Sequence, residues 1–279
     1  MHPYSSGSWL RSTVYDWMGF DEMYFIDDFP KEYYIRKYIS DEEMFDMIIS
    51  CYEENEQTST DPMFLFGVTM QNHGSYTYTG SRNYYQSISL LGYEQDYDDA
   101  EQYLSVIHQT DRAVKNLITY FEGVDDDVVI VFFGDHLPKL NTDFYEELHG
   151  GEFETLEEQM SMYTIPFFIW TNYDIEEQSG VETSINYLST YLYETAGLEM
   201  PGYVSFLEDT RETIPAMNAL GYYSESSEGY LEYSEAEGDE AQAISDYAIL
   251  QYNNLFDKKN KDAMFDCYEE ETIETEDDE

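Results

Sequence analysis

The sequence has few basic residues, few cysteines and no long apolar run. Twelve Lys and Arg stand against sixty Asp and Glu, which gives a formal net charge of −48 at pH 7. Such a surface repels nucleic-acid phosphates and anionic lipid headgroups, so we expect no nucleic-acid partner and no polybasic membrane contact. The plainest interpretation of the acidic residues is a solvated surface.

The two cysteines and the short apolar runs set few further limits on the class of protein. Cys51 and Cys267 are too far apart in sequence for a metal-binding CxxC pair, and one disulfide or two free thiols are both compatible with the sequence. No stretch reaches the roughly 18 apolar residues that a membrane-spanning helix needs. The first residues have neither the charged nor the apolar segment of a signal peptide. Taken alone, the sequence therefore predicts no membrane span and no signal peptide.

Short apolar runs alternate with segments of helical periodicity. The predicted buried strands are Pro62–Thr69, Val128–Phe133 and Ile165–Trp170. The predicted helices are Asp41–Glu54, Asp98–Phe121 and Ser184–Ala196, the last with Gly197 as its C-cap. This alternation predicts an α/β fold with a mostly parallel sheet flanked by helices.

The composition changes after about Tyr203, where acidic residues become more frequent between short tyrosine-containing runs. We therefore predict a main α/β domain over 1–202, a small closing α+β lobe over 203–268, and a disordered acidic tail over 269–279.

Asp135 and His136 follow Gly134 at the end of the most apolar predicted strand. The carboxyl ends of parallel strands form the ligand-binding edge of α/β sheets. Leaving the strand at Gly134 lets the two side chains, which would alternate in a regular strand, turn toward one ion. Carboxylate oxygen with imidazole nitrogen suits a divalent ion such as Mn²⁺ or Zn²⁺. The alternative is a capping aspartate beside a surface histidine.

Two further polar clusters contain histidine or arginine. His73 lies in QNHG, directly after a predicted strand, where an imidazole can bond to an anionic oxygen or act as a general acid. Arg11, in HPYSSGSWLRS, could bind phosphate with its planar fork, and Trp9 could pack on the ligand's carbon skeleton. The plainer interpretation is a loop histidine bonded to the main chain, a core tryptophan, and an arginine paired with an acid.

Taken together and in this order, the clusters resemble the catalytic domain of the lipoteichoic acid synthase and phosphoglycerol transferase family, within the alkaline phosphatase and sulfatase superfamily. The resemblance is carried by H-x6-W-x-R, VTMQNHG, DRAVKNLITYF and FFGDH, and continues through YTIPFFIW, SINYLSTYLYETAGL and YAILQYNNLF. It covers nearly the whole chain before the acidic tail. It implies an alkaline phosphatase/sulfatase-like fold, of which 1–202 would be the C-terminal part of the catalytic domain.

Carried over by position, the resemblance implies that Asp135 and His136 are metal ligands. Mn²⁺ is the ion it implies, with Mg²⁺, Ca²⁺ or Zn²⁺ as the other candidates. It implies that a glycerophosphate group is held by His2, Trp9, Arg11 and His73, around the same site as the metal pair. The family's nucleophilic threonine precedes the segment that aligns with His2, so we expect it upstream of this chain and assign no catalytic residue here.

The implied reaction transfers glycerophosphate from phosphatidylglycerol to a cell-envelope polymer or glycan, at the extracellular face of the bacterial membrane. A threonine attacks the phosphodiester, diacylglycerol leaves, and the glycerophosphoryl group passes to the acceptor. Lacking that threonine, the chain is expected to be inactive alone. Two alternatives stay open: a sulfatase or phosphodiesterase-type hydrolase, which transfers to water, and a truncated non-catalytic fragment that binds metal or polymer.

Overall fold

The structure is a computed structural model that describes residues 1–76, 83–256 and residue 264. The chain forms two compact units, one made of 1–126 with 138–152 and the other of 127–137 with the chain from 153 onward. The domain boundaries that the sequence predicts after residues 202 and 268 rest on a change in composition, and they stay predictions. Within the described ranges, no helix combines the length and the apolar character needed to cross a bilayer.

The first unit is mainly helical. Its helices are α1 (Arg11–Trp17), α2 (Asp41–Thr58), α3 (Asp98–Phe121) and α4 (Thr142–His149). A short antiparallel hairpin joins β1 (Tyr34–Ile35) to β2 (Tyr38–Ile39). Helices α2 and α3 pack against each other. Helix α3 has the predicted bounds, and α2 runs about one turn beyond its predicted end.

Local chemistry sets the start of α2 and the loop before it. The hydroxyl of Ser40 accepts a hydrogen bond from the Glu43 main-chain N–H at 3.1 Å, as an N-cap residue does. The buried Glu43 carboxylate accepts three more bonds, from the N–H groups of Lys31, Glu32 and Tyr33. A carboxylate in the first helical turn is also favoured by the helix dipole. One side chain thus anchors the segment that leads into the β1–β2 hairpin.

The second unit mixes strands and helices. Its strands are β3 (Val129–Phe133), β4 (Phe167–Thr171), β5 (Gly221–Ser224) and β6 (Gly229–Glu232), paired as β3 with β4 and β5 with β6. Its helices are α5 (Leu156–Ser161), α6 (Leu188–Ala196), α7 (Gly202–Thr213) and α8 (Gly238–Phe256). Helix α6 ends at Gly197, the predicted C-cap, whose φ of 64° is the left-handed conformation that glycine adopts at low cost. Residues 269–279 lie outside the described residues.

The α/β class is confirmed, but the direction of strand pairing differs from the expectation. Every strand pair in the described part of the chain is antiparallel, and in β3–β4 Val131 lies opposite Ile169. The prediction of a mostly parallel sheet is therefore wrong for these strands. An apolar run reports how a strand is buried and says nothing of which neighbour it pairs with, or in which direction.

The predicted strand over 62–69 is likewise not assigned as a strand. Its main chain instead bonds to Met1, whose amino group donates to the Phe66 carbonyl at 2.8 Å while its carbonyl accepts from Val68 N at 3.1 Å. Bonds to the residues on both sides of Gly67 form the pattern of a parallel bridge, one residue long. This pairing positions the start of the chain beside the QNHG loop.

Candidate functional site

Three aromatic rings and a guanidinium, all in the first unit, form one cluster. The indole of Trp9 has its ring centroid 5.7 Å from that of His2 and 5.8 Å from that of His73, both edge to face. The guanidinium carbon of Arg11 lies 5.4 Å from the Trp9 centroid. The structure thus brings together the four residues that the resemblance places around glycerophosphate.

His2 is fully buried and neutral. Its Nδ1 lies 2.9 Å from the Val68 carbonyl, and because a carbonyl only accepts, Nδ1 carries the proton. Burial lowers the pKa of His2 to about 4; the Val68 bond acts against this shift and the charge of Arg11 adds to it. Nε2 is then a buried lone pair with no partner among the described residues. A ligand hydroxyl would complete it once a group that covers His2, such as the Trp9 ring 5.7 Å away, moves aside.

Trp9 is presented at the surface by an unusual backbone. Trp9 and Leu10 both have a φ of 54°, in the left-handed region that bulky residues rarely adopt, where the chain passes from a 3₁₀ turn into α1. Such conformations are concentrated at ligand sites. Trp9 is 55% exposed, so the interpretation as an ordinary core tryptophan does not apply.

Arg11 is oriented by its own helix. Its Nη1 donates to the hydroxyl of the buried Tyr15 at 2.6 Å, and its guanidinium also lies over the Tyr15 ring. Within the described ranges Arg11 forms no ion pair, and its buried Nε has no partner there. The expected alternative, an arginine neutralised by one of the sixty acids, is therefore not what these residues show. The guanidinium keeps donors for an anion.

Sequence reasoning missed two residues that hold His73. Nδ1 of His73 lies 3.1 Å from the Gly74 carbonyl and 3.2 Å from the Tyr38 hydroxyl, so a ligand would meet Nε2. Arg36, in the turn of the β1–β2 hairpin, donates to the carbonyls of His73 and Ser75. The available signal was the pair of cations in YIRKYI, which is notable in a chain with twelve basic residues.

Gln71 and Asn72 of the QNHG loop are tied to a buried carboxylate. Asp41 is 1% exposed, and its Oδ2 accepts from the Thr110 hydroxyl at 2.7 Å. Thr110 in turn accepts from the amides of Gln71 and Asn72, at 2.9 and 2.7 Å, and the Gln71 amide oxygen accepts from Asp41 N. Burial raises the pKa of Asp41 to about 6, although the Thr110 bond acts to lower it. These side chains fix the loop that presents His73.

Asp135 and His136 belong to the second unit, directly after β3. Nε2 of His136 lies 3.6 Å from Oδ2 of Asp135, and both side chains are exposed. Nδ1 of His136 contacts the Leu137 carbonyl at 2.8 Å, which places the proton there and leaves the Nε2 lone pair beside the carboxylate.

This donor set fits a divalent ion as two of its ligands. No group of three or more His, Cys, Asp or Glu with metal-binding geometry occurs among the residues that the structure describes. Two protein ligands leave most of an ion's coordination to other donors. Because the aromatic cluster lies in the other unit, a shared site for the two groups stays a prediction.

Cys51 carries a free thiol whose pKa is raised by burial, and Cys267 lies outside the described residues.

The family model described as Sulfatase matches residues 1–198. A putative cyclic β-1,2-glucan modification protein of Rhizobium meliloti is 26% identical over 275 residues, which are 95% of this chain and 42% of that protein. The capsular polysaccharide biosynthesis protein RkpI of the same organism is 26% identical over 143 residues, or 51% of this chain and 24% of that protein.

A solved structure shares the fold. The phosphoglycerol transferase GacH of Streptococcus pyogenes, in complex with sn-glycerol-1-phosphate, aligns with a TM-score of 0.67 and 20% identity over 91% of this chain and 59% of that one. The chain spans less than half the length of the two curated relatives it matches.

Proposed function

Because the chain belongs to the sulfatase family, we propose that it is part of a metal-dependent enzyme that transfers glycerophosphate from phosphatidylglycerol to a cell-envelope polymer or glycan. One observation carries the proposal: His2, Arg11 and His73 all surround the exposed ring of Trp9. The His2 imidazole can accept a bond from a glycerol hydroxyl, and the Trp9 indole can cover the carbon skeleton. Arg11 and His73 can donate to the phosphate.

Each residue has a definable role in this proposal. Arg11 donates to phosphate oxygens with the fork that its Tyr15 bond orients. His73 donates from Nε2–H to the phosphate, in the tautomer whose Nδ1 accepts from the Tyr38 hydroxyl at 3.2 Å. Neutral His2 accepts a hydrogen bond from a glycerol hydroxyl, and Trp9 covers the glycerol carbons. Arg11 and Arg36 together make this cluster locally basic within a chain of charge −48.

The related proteins support the choice of both substrates. GacH is a phosphoglycerol transferase whose structure holds sn-glycerol-1-phosphate. Both curated relatives have names that concern polysaccharide, one its modification and one its synthesis. A glycerophosphate donor and a glycan acceptor are consistent with these names.

The metal would bind between Asp135 and His136. Proteins of the sulfatase superfamily generally depend on a divalent metal. Bound here, an ion would neutralise charge on the phosphate and activate the attacking oxygen; Mn²⁺ is the ion we propose. Further ligands and the threonine nucleophile are, by the resemblance, outside this sequence. The 279-residue chain alone is therefore expected to be inactive.

The test is release of diacylglycerol from fluorescent phosphatidylglycerol in the presence of Mn²⁺. We expect no release by this chain alone, and release with glycan labelling once it is joined to the threonine-bearing segment of the family's catalytic domain. In that joined protein Arg11→Ala should lower the rate at least 100-fold. Arg112→Ala, which removes an exposed cation on α3, is the matched control. Hydrolysis of an aryl sulfate, unaffected by Arg11→Ala, would favour the hydrolase alternative and sink the proposal.

A further inference from the structure

A cavity of about 900 Å³ adjoins the QNHG loop in the first unit. Thirteen of the described residues line it, and among these Leu140 alone lacks a polar side-chain group. The polar atoms of these residues come from serine and tyrosine hydroxyls, carboxamides, carboxylates and one ammonium. Sites for lipids or drug-like molecules of this size are mostly apolar. This wall therefore suits a ligand that is itself rich in hydrogen-bonding groups.

The charge of the described part of the wall disfavours anions. Among the lining residues that the structure describes, Asp96, Asp98 and Asp99 are the carboxylates and Lys139 is the one cation. Three carboxylates against one ammonium repel a nucleotide or a glycerophosphate polymer and tolerate a neutral ligand. The cavity is thus different in kind from the cluster around Arg11, where cations predominate.

Two of the lining side chains, Gln102 and Asp99, are held in place by hydrogen bonds to the main chain. Gln102 is 3% exposed, and its amide brackets the main chain of Tyr84: Oε1 accepts from the Tyr84 N–H at 2.5 Å and Nε2 donates to the carbonyl at 3.1 Å. Asp99 Oδ2 accepts from Asn141 N at 2.7 Å within the wall. A pre-formed wall loses little entropy when a ligand binds.

We propose that this cavity binds the glycan acceptor as a neutral oligosaccharide, with the ring of Tyr84 packing on a sugar face while carboxylates and carboxamides bond its hydroxyls. A pyranose offers apolar C–H faces and hydroxyls that both donate and accept, which tyrosine rings, carboxylates and carboxamides complement. The volume is near the upper end for small-molecule sites, enough for several sugar units.

Residues 73–76 connect the cavity to the cluster around Trp9. Its wall includes Ser75 and Tyr76, and Arg36 bonds to the carbonyls of His73 and Ser75 while its guanidinium stacks 4.6 Å from the Tyr76 centroid. A sugar hydroxyl at this end of the cavity would lie beside the loop that carries His73. This location rests on the proposed function, and the binding of a neutral glycan does not.

Calorimetric titration of the metal-free chain with neutral oligosaccharides, including unsubstituted cyclic β-1,2-glucan and linear glucans, tests the proposal. We expect saturable binding that Tyr84→Ala weakens at least tenfold. Tyr85→Ala is the matched control, since Tyr85 is 82% exposed and does not line the cavity. Asp98→Asn should keep glucan affinity and raise the affinity for a glycerophosphate oligomer. If the alanine variant does not fold, Tyr84→Leu keeps the bulk and tests the same contact.

No saturable binding of any neutral glycan, or equal affinity in Tyr84→Ala and the unmodified chain, overturns the cavity assignment. Tighter binding of the glycerophosphate oligomer than of glucan overturns the charge argument with it. Because the assay uses neither metal nor lipid donor, glucan binding without diacylglycerol release in the companion assay would refute the proposed function and leave the cavity standing. Diacylglycerol release in the companion assay, without glucan binding to the cavity, would support the proposed function and refute the cavity assignment.

Discussion

Arg11 and Tyr15 are bonded one helical turn apart, with Nη1 donating to the phenolic oxygen at 2.6 Å. Tyr15 is 3% exposed, so the acceptor is fixed by the core and transmits that rigidity to a guanidinium at the surface. A long, flexible side chain is thereby held near Trp9 before any ligand arrives, which reduces the entropy lost on binding.

Tyr15→Phe removes this bond and keeps the ring. A hydrogen bond to a charged group contributes about 1.5–3 kcal/mol, so we expect the affinity for sn-glycerol-1-phosphate to fall roughly tenfold or more. Calorimetry measures it, with Tyr120→Phe, whose hydroxyl bonds to Glu53 on another helix, as the control. Unchanged affinity in Tyr15→Phe, alongside its loss in Arg11→Ala, would show that Arg11 needs no such support.

The pKa of His2 should be about 4 by NMR, well below the ordinary value of 6.5, because burial disfavours its charged form. The unfolded chain binds this proton more readily than the folded chain, so His2 makes stability fall as pH drops from about 6.5 toward 4. Adding sn-glycerol-1-phosphate distinguishes two ligand orientations. A glycerol hydroxyl on Nε2 keeps the pKa low, whereas a phosphate there would raise it and contradict the assigned role.

The contribution of Asp41 to folding stability should depend on pH in the opposite direction. Its raised pKa means that the folded chain holds this proton more tightly, so its contribution to stability is present below about pH 4 and is lost as pH rises through 6. Asp41→Asn keeps an acceptor for Thr110 and removes the ionisation. The variant should gain of order 2–3 kcal/mol relative to the unmodified chain between pH 4 and 7. Parallel pH profiles from urea unfolding would contradict this.

Elements with a strong local pattern could be predicted from the sequence. Helix α3 has the predicted bounds because its apolar spacing and acidic first turn are local properties. Strand pairing was not predictable in the same way, since the apolar runs that became β3 and β4 do not encode the direction of their partner. The run over 62–69 bonds to Met1, a contact that sequence spacing cannot reveal.

Some residues of the candidate site could be predicted from the sequence and others could not. The resemblance named His2, Trp9, Arg11 and His73, and the structure places them together. Arg36 and Tyr38 were missed because they act on His73 from 35 or more residues away, through a hairpin turn that no motif marks. The buried role of Asp41 was hidden for the same reason, since its partner Thr110 lies on another helix.

The metal pair should bind Mn²⁺ weakly in this chain. Two exposed ligands leave the ion largely hydrated, and losing one of them should cost at least tenfold in affinity. Asp135→Asn tests this by calorimetry, and His108→Gln, an exposed histidine on α3, is the control. Tight binding that survives Asp135→Asn would place the ion elsewhere.

Arg36→Ala should loosen the loop that carries His73. The two carbonyls that Arg36 holds would be released, so we expect faster amide exchange at 73–75 and roughly tenfold weaker binding of sn-glycerol-1-phosphate. Arg112→Ala should change neither. Faster exchange with unaltered affinity would mean that the two bonds from Arg36 contribute to stability alone.

Arg36 also has a φ of 60°, at the first position of a two-residue hairpin turn where glycine or asparagine is usual. A left-handed conformation costs an ordinary residue about 1–2 kcal/mol. A redesign that optimised folding energy alone would choose glycine here and would delete the guanidinium that spans the hairpin, the His73 loop and the Tyr76 ring. At this position thermostability and ligand affinity should trade against each other, and a library selected only for heat resistance should accumulate sequences that bind sn-glycerol-1-phosphate weakly.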